Sequence, residues 1–354
     1  MSGPTRETEL AHLDRPKAPE TTLAVVSDAH VTADAEGTWK VFHRTESRLE
    51  SVVDDVNRRD VDGLVFAGDL TKDGASPEFD RVAEILSELD APYLAVPGNH
   101  DVPKAFDDHQ TPPLSSFVAA HCPDELPYRS RLGGLDVVCL NSASDADGTL
   151  REGHAGRISD AQLDWIADAV DPERPTVAVF HHPTTHVGRL VERFPDTDHY
   201  QLRNADAVVE ALDSAGVELA VSGHIHWPTA ARVSGVSDGS DESGVSDGSD
   251  ESGVSGVSDG RPRGGRVDSF DGVTQVTTPA ACSFPQGYLL VRVTPDGTTV
   301  SIVPLGDDES RTEAYRHAAA DGARNDAIVE SADDGYFDSF PLVDERAPEP
   351  PTSD

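Results

Sequence analysis

Five polar clusters occur in order along this 354-residue chain: Asp28-Ala29-His30, Gly68-Asp69, Gly98-Asn99-His100-Asp101, His181-His182-Pro183 and Gly223-His224-Ile225-His226. Their carboxylates, carboxamide and imidazoles are oxygen and nitrogen donors of the kind that suit manganese, iron and zinc. Enough are present to hold two divalent ions, and a close pair of such ions is machinery for hydrolysing phosphate esters. Each cluster alone has an ordinary explanation. An Asp-x-His pair is usually a surface pair, and an aspartate after Gly68 serves as well in a turn or as an N-cap. Gly-Asn-His-Asp in four consecutive positions, and two histidines within residues 224–226, are harder to assign to packing or to a turn. The ordered set of five carries the inference.

Apolar runs place these clusters at strand ends. Strands are predicted near 22–27 ending at Asp28, near 62–67 ending at Gly68-Asp69, and near 93–96 ending at Pro97-Gly98. Two more run near 176–180 into His181 and near 217–221 into Gly223. Between them fall predicted helices near 44–58, with Leu49, Val52, Val53 and Val56 spaced by three and four, and near 77–89, with Ser76 as N-cap and Pro77 first in the helix. Further helices are predicted near 159–169 and 205–214. The β-α-β-α-β order implies parallel strands in a covered sheet, with polar groups collected at the carboxyl ends. In extended backbone, residues i and i+2 share a side, which would aim Asp28 with His30 and His224 with His226. Strands are also expected near 127–131 and 135–140. Residues 229–304 read as β-rich, most clearly at Tyr288–Val293, and 102–126 as a lid or long loop.

The formal net charge is −37, and lysine occurs four times. The acid excess runs through the folded-looking segments as well as the tails. Such charge keeps a protein soluble and is a lever of salt adaptation, because the Debye length falls to about 3 Å at 1 M salt. It argues against sequence-independent nucleic-acid binding, which needs basic phosphate contacts. Cys122, Cys139 and Cys282 show neither paired metal-site spacing nor a disulfide framework, as suits a reducing cytoplasm. No window reads as an apolar leader or a membrane span, so a cytoplasmic chain is expected. Residues 1–20 are expected to be disordered, 21–306 to form one domain, and 307–354 to be an acidic tail with a short helix near 311–320. GVSDGSDES at 235–243 is repeated at 244–252. Without the paired glycines of a calcium β-roll, this marks 235–265 as a flexible acidic insertion.

The set D-x-H, G-D, G-N-H-D, H and G-H-x-H resembles the calcineurin-like metallophosphoesterase superfamily over about residues 22–305, the repeat excepted. Gly68-Asp69-Leu70-Thr71 through Pro97-Gly98-Asn99-His100-Asp101 looks most like its class III cyclic-nucleotide phosphodiesterase branch. The resemblance implies an α/β fold, a four-layer α/β/β/α sandwich with mixed sheets. It implies that Asp28, His30 and His226 hold a first metal ion, that Asn99, His181 and His224 hold a second, and that Asp69 bridges them. His182 stays open as a substitute for His181. Manganese or iron is expected in use, with zinc able to occupy the site. A hydroxide bridging the ions would attack phosphorus, and His100 would contact the phosphate and protonate the leaving oxygen. Asp101 has two readings, orienting that imidazole or a metal ligand, or stabilising the turn.

The implied function is metal-dependent hydrolysis of a small-molecule phosphodiester, a 3′,5′-cyclic nucleotide being one candidate. Phosphomonoester, glycerophosphodiester or pyrophosphate hydrolysis by the same fold is the alternative, and a non-catalytic metal-binding scaffold is the alternative from another class. A homodimer is left open. Substrate choice is expected to lie in 31–47, 102–126 and 184–203, which contain His43, Arg44, Arg189, Arg193 and Arg203.

Overall fold

The computed structural model describes residues 3–32, 34–151, 155–185, 201–233 and 272–346. Among these, two mixed sheets stack face to face with helices outside each. In chain order the elements are β1 (Thr8–Leu13), β2 (Thr21–Val26), α1 (Thr45–Asn57), β3 (Gly63–Ala67), α2 (Ser76–Leu86), β4 (Tyr93–Val96), α3 (Leu114–His121), β5 (Tyr128–Leu132), β6 (Leu135–Cys139), α4 (Asp160–Ala169), β7 (Thr176–Val179), α5 (Ala205–Ser214), β8 (Leu219–Ser222), β9 (Thr229–Val233), β10 (Val273–Thr277), β11 (Gly287–Thr294), β12 (Gly297–Pro304), α6 (Asp308–Ala319), α7 (Ala323–Asp333) and β13 (Val343–Asp344). The sheets have the orders β13-β1-β12-β11-β2-β3-β4 and β5-β6-β7-β8-β10-β9.

Period-two alternation in β2 explains the layers. Leu23 and Val25 face the core between the sheets with Val65, Val96, Val137 and Val177, while Ala24 and Val26 face α1 and α2. The second sheet does the same, with Val138, Ala178 and Ala220 turned toward Ile166 of α4 and Val208 and Leu212 of α5. Strands β2-β3-β4 are parallel, as are β6-β7-β8-β10. Their carboxyl ends therefore gather at one edge of the sandwich, the place where open α/β sheets keep their chemistry.

Several expectations need correction. Thr8–Leu13, placed in a disordered 1–20, is a core strand paired antiparallel with β12, and Leu10, Ala11 and Leu13 are buried. A register shift between Glu9 and Ala11 breaks the alternation that would have revealed it. The helix expected near 311–320 is present as α6, but the segment from 307 is not a tail: it folds back as α6, α7 and β13, and β13 pairs parallel with β1. Ala314, Ala318, Ile328 and Ala332 pack there on Trp227, Phe284 and Val41. The buried face of α6 is alanine, too small to mark that helix as part of the core in so acidic a stretch. The expected loop at 102–126 contains α3, whose Phe117 packs on Phe79. Helix α2 takes its cap from the Glu78 carboxylate, which accepts the Ala75 and Asp73 N–H groups, rather than from Ser76. The expected insertion at 235–265 lies outside the described residues.

Candidate active site

The loops after β2 and β3 run side by side. Asp28 N–H donates to the Gly68 carbonyl (3.0 Å), His30 N–H to Asp69 (3.0 Å) and Val31 N–H to Leu70 (2.9 Å). Asp28, His30, Asp69, His224 and His226 all sit in the left-handed region, with φ from 46° to 70°. Asp and His tolerate this better than most residues, and such strain clusters at functional sites. The convergence of Asp28 with His30 and of His224 with His226 therefore comes from left-handed turns, which corrects the extended i, i+2 geometry expected. Close approach also demands glycine at 68, where a Cβ would lie 2.4 Å from His181 Nδ1.

Each carboxylate is fixed by one oxygen and presents the other. Asp28 Oδ2 accepts the Ser27 hydroxyl (2.6 Å) and the His224 N–H (2.9 Å), so Oδ1 faces His226 Nε2 at 3.0 Å and His30 Nε2 at 3.7 Å. Asp69 Oδ1 accepts the His100 N–H (2.8 Å), so Oδ2 faces His181 Nε2 at 3.3 Å and His30 Nε2 at 3.6 Å. His30 Nε2 and His226 Nε2 are 3.3 Å apart. On the other side, His181 Nε2 is 3.2 Å from both Asn99 Oδ1 and His224 Nδ1. Two donor groups thus share Asp69, and all of these residues are buried.

A cation fits this arrangement. His181 Nδ1–H donates to the Ala67 carbonyl (2.8 Å), which leaves Nε2 as a lone pair facing the oxygens of Asn99 and Asp69. Three acceptors at such range call for positive charge between them. The titration shifts agree. Burial pulls the His181 imidazole down, but the Asp69 and Asp28 carboxylates outweigh it and push it up to about 9, so that without an ion a proton on Nε2 supplies the positive charge that a cation would otherwise bring. Burial pushes both carboxyls up, yet the surrounding imidazoles hold them well below the usual range.

The remaining sequence candidates take distinct places. Asp101 is saturated by loop donors: Leu70 N–H (3.1 Å) and Gly98 N–H (3.0 Å) to Oδ2, Thr71 N–H (3.0 Å) and its hydroxyl (2.8 Å) to Oδ1. It welds the two loops together, while the His100 imidazole is aimed by Nδ1–H donating to the Lys72 carbonyl. Burial and Asp69 push the Asp101 carboxyl up to about 6, against the pull of those donors. Burial, then Lys40, hold the His100 imidazole well below its usual value. His182 is not turned away, as its ring lies 4.4 Å from that of His224 and Nδ1 is 3.0 Å from the Ser142 hydroxyl. Cys282 is buried, 3.7 Å from His226 Nδ1, its thiol pushed up by burial.

A cavity of about 300 Å³ opens over the cluster and includes His100, Asn99 and Asp69. Its lining also includes Trp39, Lys40 and, from α7, Arg324 and Asn325. Trp39 and Lys40 fall in the 31–47 stretch expected to choose substrate but were not singled out, although one of four lysines beside one of three tryptophans was an available signal, and Arg324 and Asn325 were missed. His43 and Arg44 are engaged by Glu313 of α6, and Arg189 and Arg193 lie outside the described residues.

Residues 21–228 match the family described as Calcineurin-like phosphoesterase. The chain belongs to that family. This phosphoesterase is 30% identical over 230 residues to a probable cyclic nucleotide phosphodiesterase of Rhodococcus erythropolis, covering 62% of this chain and 69% of that one. It is 25% identical over 346 residues to a cAMP/cGMP dual specificity phosphodiesterase of Mycobacterium tuberculosis, covering 92% and 93% of the two chains. A dimetal phosphatase from Danio rerio shares the fold, with a TM-score of 0.53 at 13% identity over 81% of this chain and all of that one. The four-layer α/β fold and the role of metal-dependent phosphoester hydrolase expected from the motifs both stand. Among the described residues, no helix is long and apolar enough to cross a membrane.

Proposed function

We propose that this phosphoesterase hydrolyses a phosphodiester, a 3′,5′-cyclic nucleotide in first place, at two divalent ions held on either side of Asp69. The observation that carries this reading is the pair of acceptor groups sharing Asp69 Oδ2, with His30 on one side and His181 on the other. The names of the two similar chains support the substrate class. Asp28, His30 and His226 would hold the first ion and Asn99, His181 and His224 the second, with manganese or iron preferred by the nitrogen and oxygen donors and zinc admitted. When bound, the ions supply an activated water nucleophile and neutralise phosphate oxygens. The chain does the rest. Ser27, the Ala67 carbonyl and the His100 N–H fix the orientation of the donors. The Lys72 carbonyl takes the Nδ1–H of His100 and keeps the ring turned so that Nε2 can face the phosphate; Nε2 would serve as the acid toward the leaving oxygen after taking up a proton, which the negative charge of a bound phosphoester favours. A reducing cytoplasm suits the buried free thiols Cys139 and Cys282.

The test is a manganese-supplemented panel of cyclic nucleotides, glycerophosphodiesters, phosphomonoesters and bis(p-nitrophenyl) phosphate, with Asp69→Ala as comparison. The expected result is preferred turnover of a cyclic nucleotide, with metal and activity lost together in the variant. Two ions still bound with normal turnover in Asp69→Ala would sink the assignment.

A further inference from the structure

We propose that Lys40 and Arg324 form a cationic subsite on the wall of the metal cavity, and that it binds phosphoryl oxygens of the substrate and of its phosphate product. The Trp39 indole brings the two charges together, with Lys40 Nζ 5.5 Å and the Arg324 guanidinium carbon 4.6 Å from its ring centroid. All three line the same cavity as Asp69, Asn99 and His100. Lys40 Nζ also lies 3.1 Å from His30 Nε2, at the edge of the donor cluster. Arg324 Nη2 donates to the Ile225 carbonyl (2.7 Å), between His224 and His226, so its position is tied to that loop. On the same rim, the Asp321 carboxylate accepts the Asn325 Nδ2 (2.9 Å).

Lys40 and Arg324 stand half-buried in a cavity that the Asp69 and Asp321 carboxylates also line, and they offset the repulsion those carboxylates would exert on an anionic ligand. Attack on a phosphodiester raises its charge from about one to two, so fixed cations stabilise the transition state and product more than the ground state. The planar guanidinium suits two oxygens at once, and the ammonium acts as a point charge. Arg324 lies beyond the family match at 21–228, and Lys40 lies outside the five clusters. The subsite rests on the phosphoester reading of the cavity.

Orthophosphate is the probe, because it shares the phosphoryl oxygens of any phosphoester product. Full-length Lys40→Met, Arg324→Gln, Lys40→Arg and Arg324→Lys would be compared for phosphate inhibition of bis(p-nitrophenyl) phosphate hydrolysis, for metal content and for melting temperature. Phosphate quenching of Trp39 fluorescence, against a Trp39→Phe control, reads binding without turnover. Loss of one charged hydrogen bond predicts inhibition weaker by about tenfold or more in each neutral variant, with wild-type metal content. The charge-keeping variants should recover most of it. Unchanged inhibition in both neutral variants overturns the subsite. So does weakened inhibition that tracks metal loss, which would make Lys40 a positioning residue for His30. Failure to turn over cyclic nucleotides would sink the substrate reading alone, since the orthophosphate measurement does not depend on the natural substrate.

Discussion

Gly98→Ala is the smallest change expected to dismantle the site. A Cβ at 98 would lie 2.1 Å from Asp69 Oδ1, 2.3 Å from Asp69 N and 2.7 Å from Asp69 Cγ. Ordinary contacts of this kind are about 3.5 Å, so the overlap exceeds 1 Å. Asp69 cannot swing clear, because its Oδ1 holds the His100 N–H and the clashing nitrogen is backbone. The 98–101 turn must therefore move by about an ångström, and with it Asn99 and His100. Overpacking of this kind costs about 1–3 kcal/mol. At roughly 2–4 °C per kcal/mol for a large domain, the melting temperature should fall by about 2–12 °C. Activity should suffer out of proportion, because a 1 Å misplacement near reacting groups can cost about 10²-fold.

Gly216→Ala is the matched control. It sits far from the site at φ 80°, and its Cβ would meet Pro172 at an ordinary 3.5 Å. Left-handed strain should cost about 1–2 kcal/mol there, with metal content and kcat unchanged. The assay is calorimetry, metal analysis and turnover of bis(p-nitrophenyl) phosphate on both variants. Gly98→Ala with two ions and kcat within about twofold of wild type would refute the reasoning, since the turn would then have yielded without disturbing Asp69.

His100→Ala should keep its metal yet lose about 10²–10⁴-fold in rate on substrates with poor leaving groups, and less with nitrophenolate. An equal loss on both would mean that His100 binds phosphate rather than protonating the leaving oxygen. His121 sits buried among Phe79, Phe117 and Tyr93, with its imidazole pulled down to about 4 by burial. The fold therefore binds fewer protons than the unfolded chain below the usual value of about 6.5, and up to about 3 kcal/mol of stability is lost as pH falls from there toward 4. His121→Phe should flatten that part of the denaturation curve measured at pH 7 and pH 5. If the net charge of −37 is a salt adaptation, the melting temperature should climb through the molar range of potassium chloride as the carboxylates are screened. A flat response would place the charge in an acidic binding surface instead.

The strands of both parallel regions were legible because Leu23–Val26, Leu64–Ala67 and Thr176–Val179 are continuous apolar runs bounded by polar turns, the signature of strands covered on both faces. The identity of the cluster residues was legible for the same reason, since each follows such a run. β1 and α7 were not, and α6 was legible as a helix near 311–320 but not as part of the packed fold. A bulge disguised the first, and α6 presents alanine to the core. Their loss mattered to function, because α7 carries Arg324 into the cavity. A side chain that reaches a site from some hundred residues beyond the nearest cluster has no local pattern to announce it.

The way the donors converge was hidden for a different reason. Residues in the left-handed region cost roughly 1–3 kcal/mol each, and five of the cluster residues adopt it. No local preference would select that geometry, so it has to be imposed from outside. Asp101 supplies part of the restraint, accepting four hydrogen bonds from Gly98, Leu70 and Thr71 and so locking the 68–71 and 98–101 turns to each other. The bonds from Asp28, His30 and Val31 to Gly68, Asp69 and Leu70 then lock the first loop onto the second. At about 1 kcal/mol net for a neutral hydrogen bond and more for those to a carboxylate, this network is of the size needed to offset the strain. Residue types in the sequence name the chemistry, but the aim of the atoms belongs to the network, and Asp101 contributes through the backbone it ties rather than through anything it offers to a ligand.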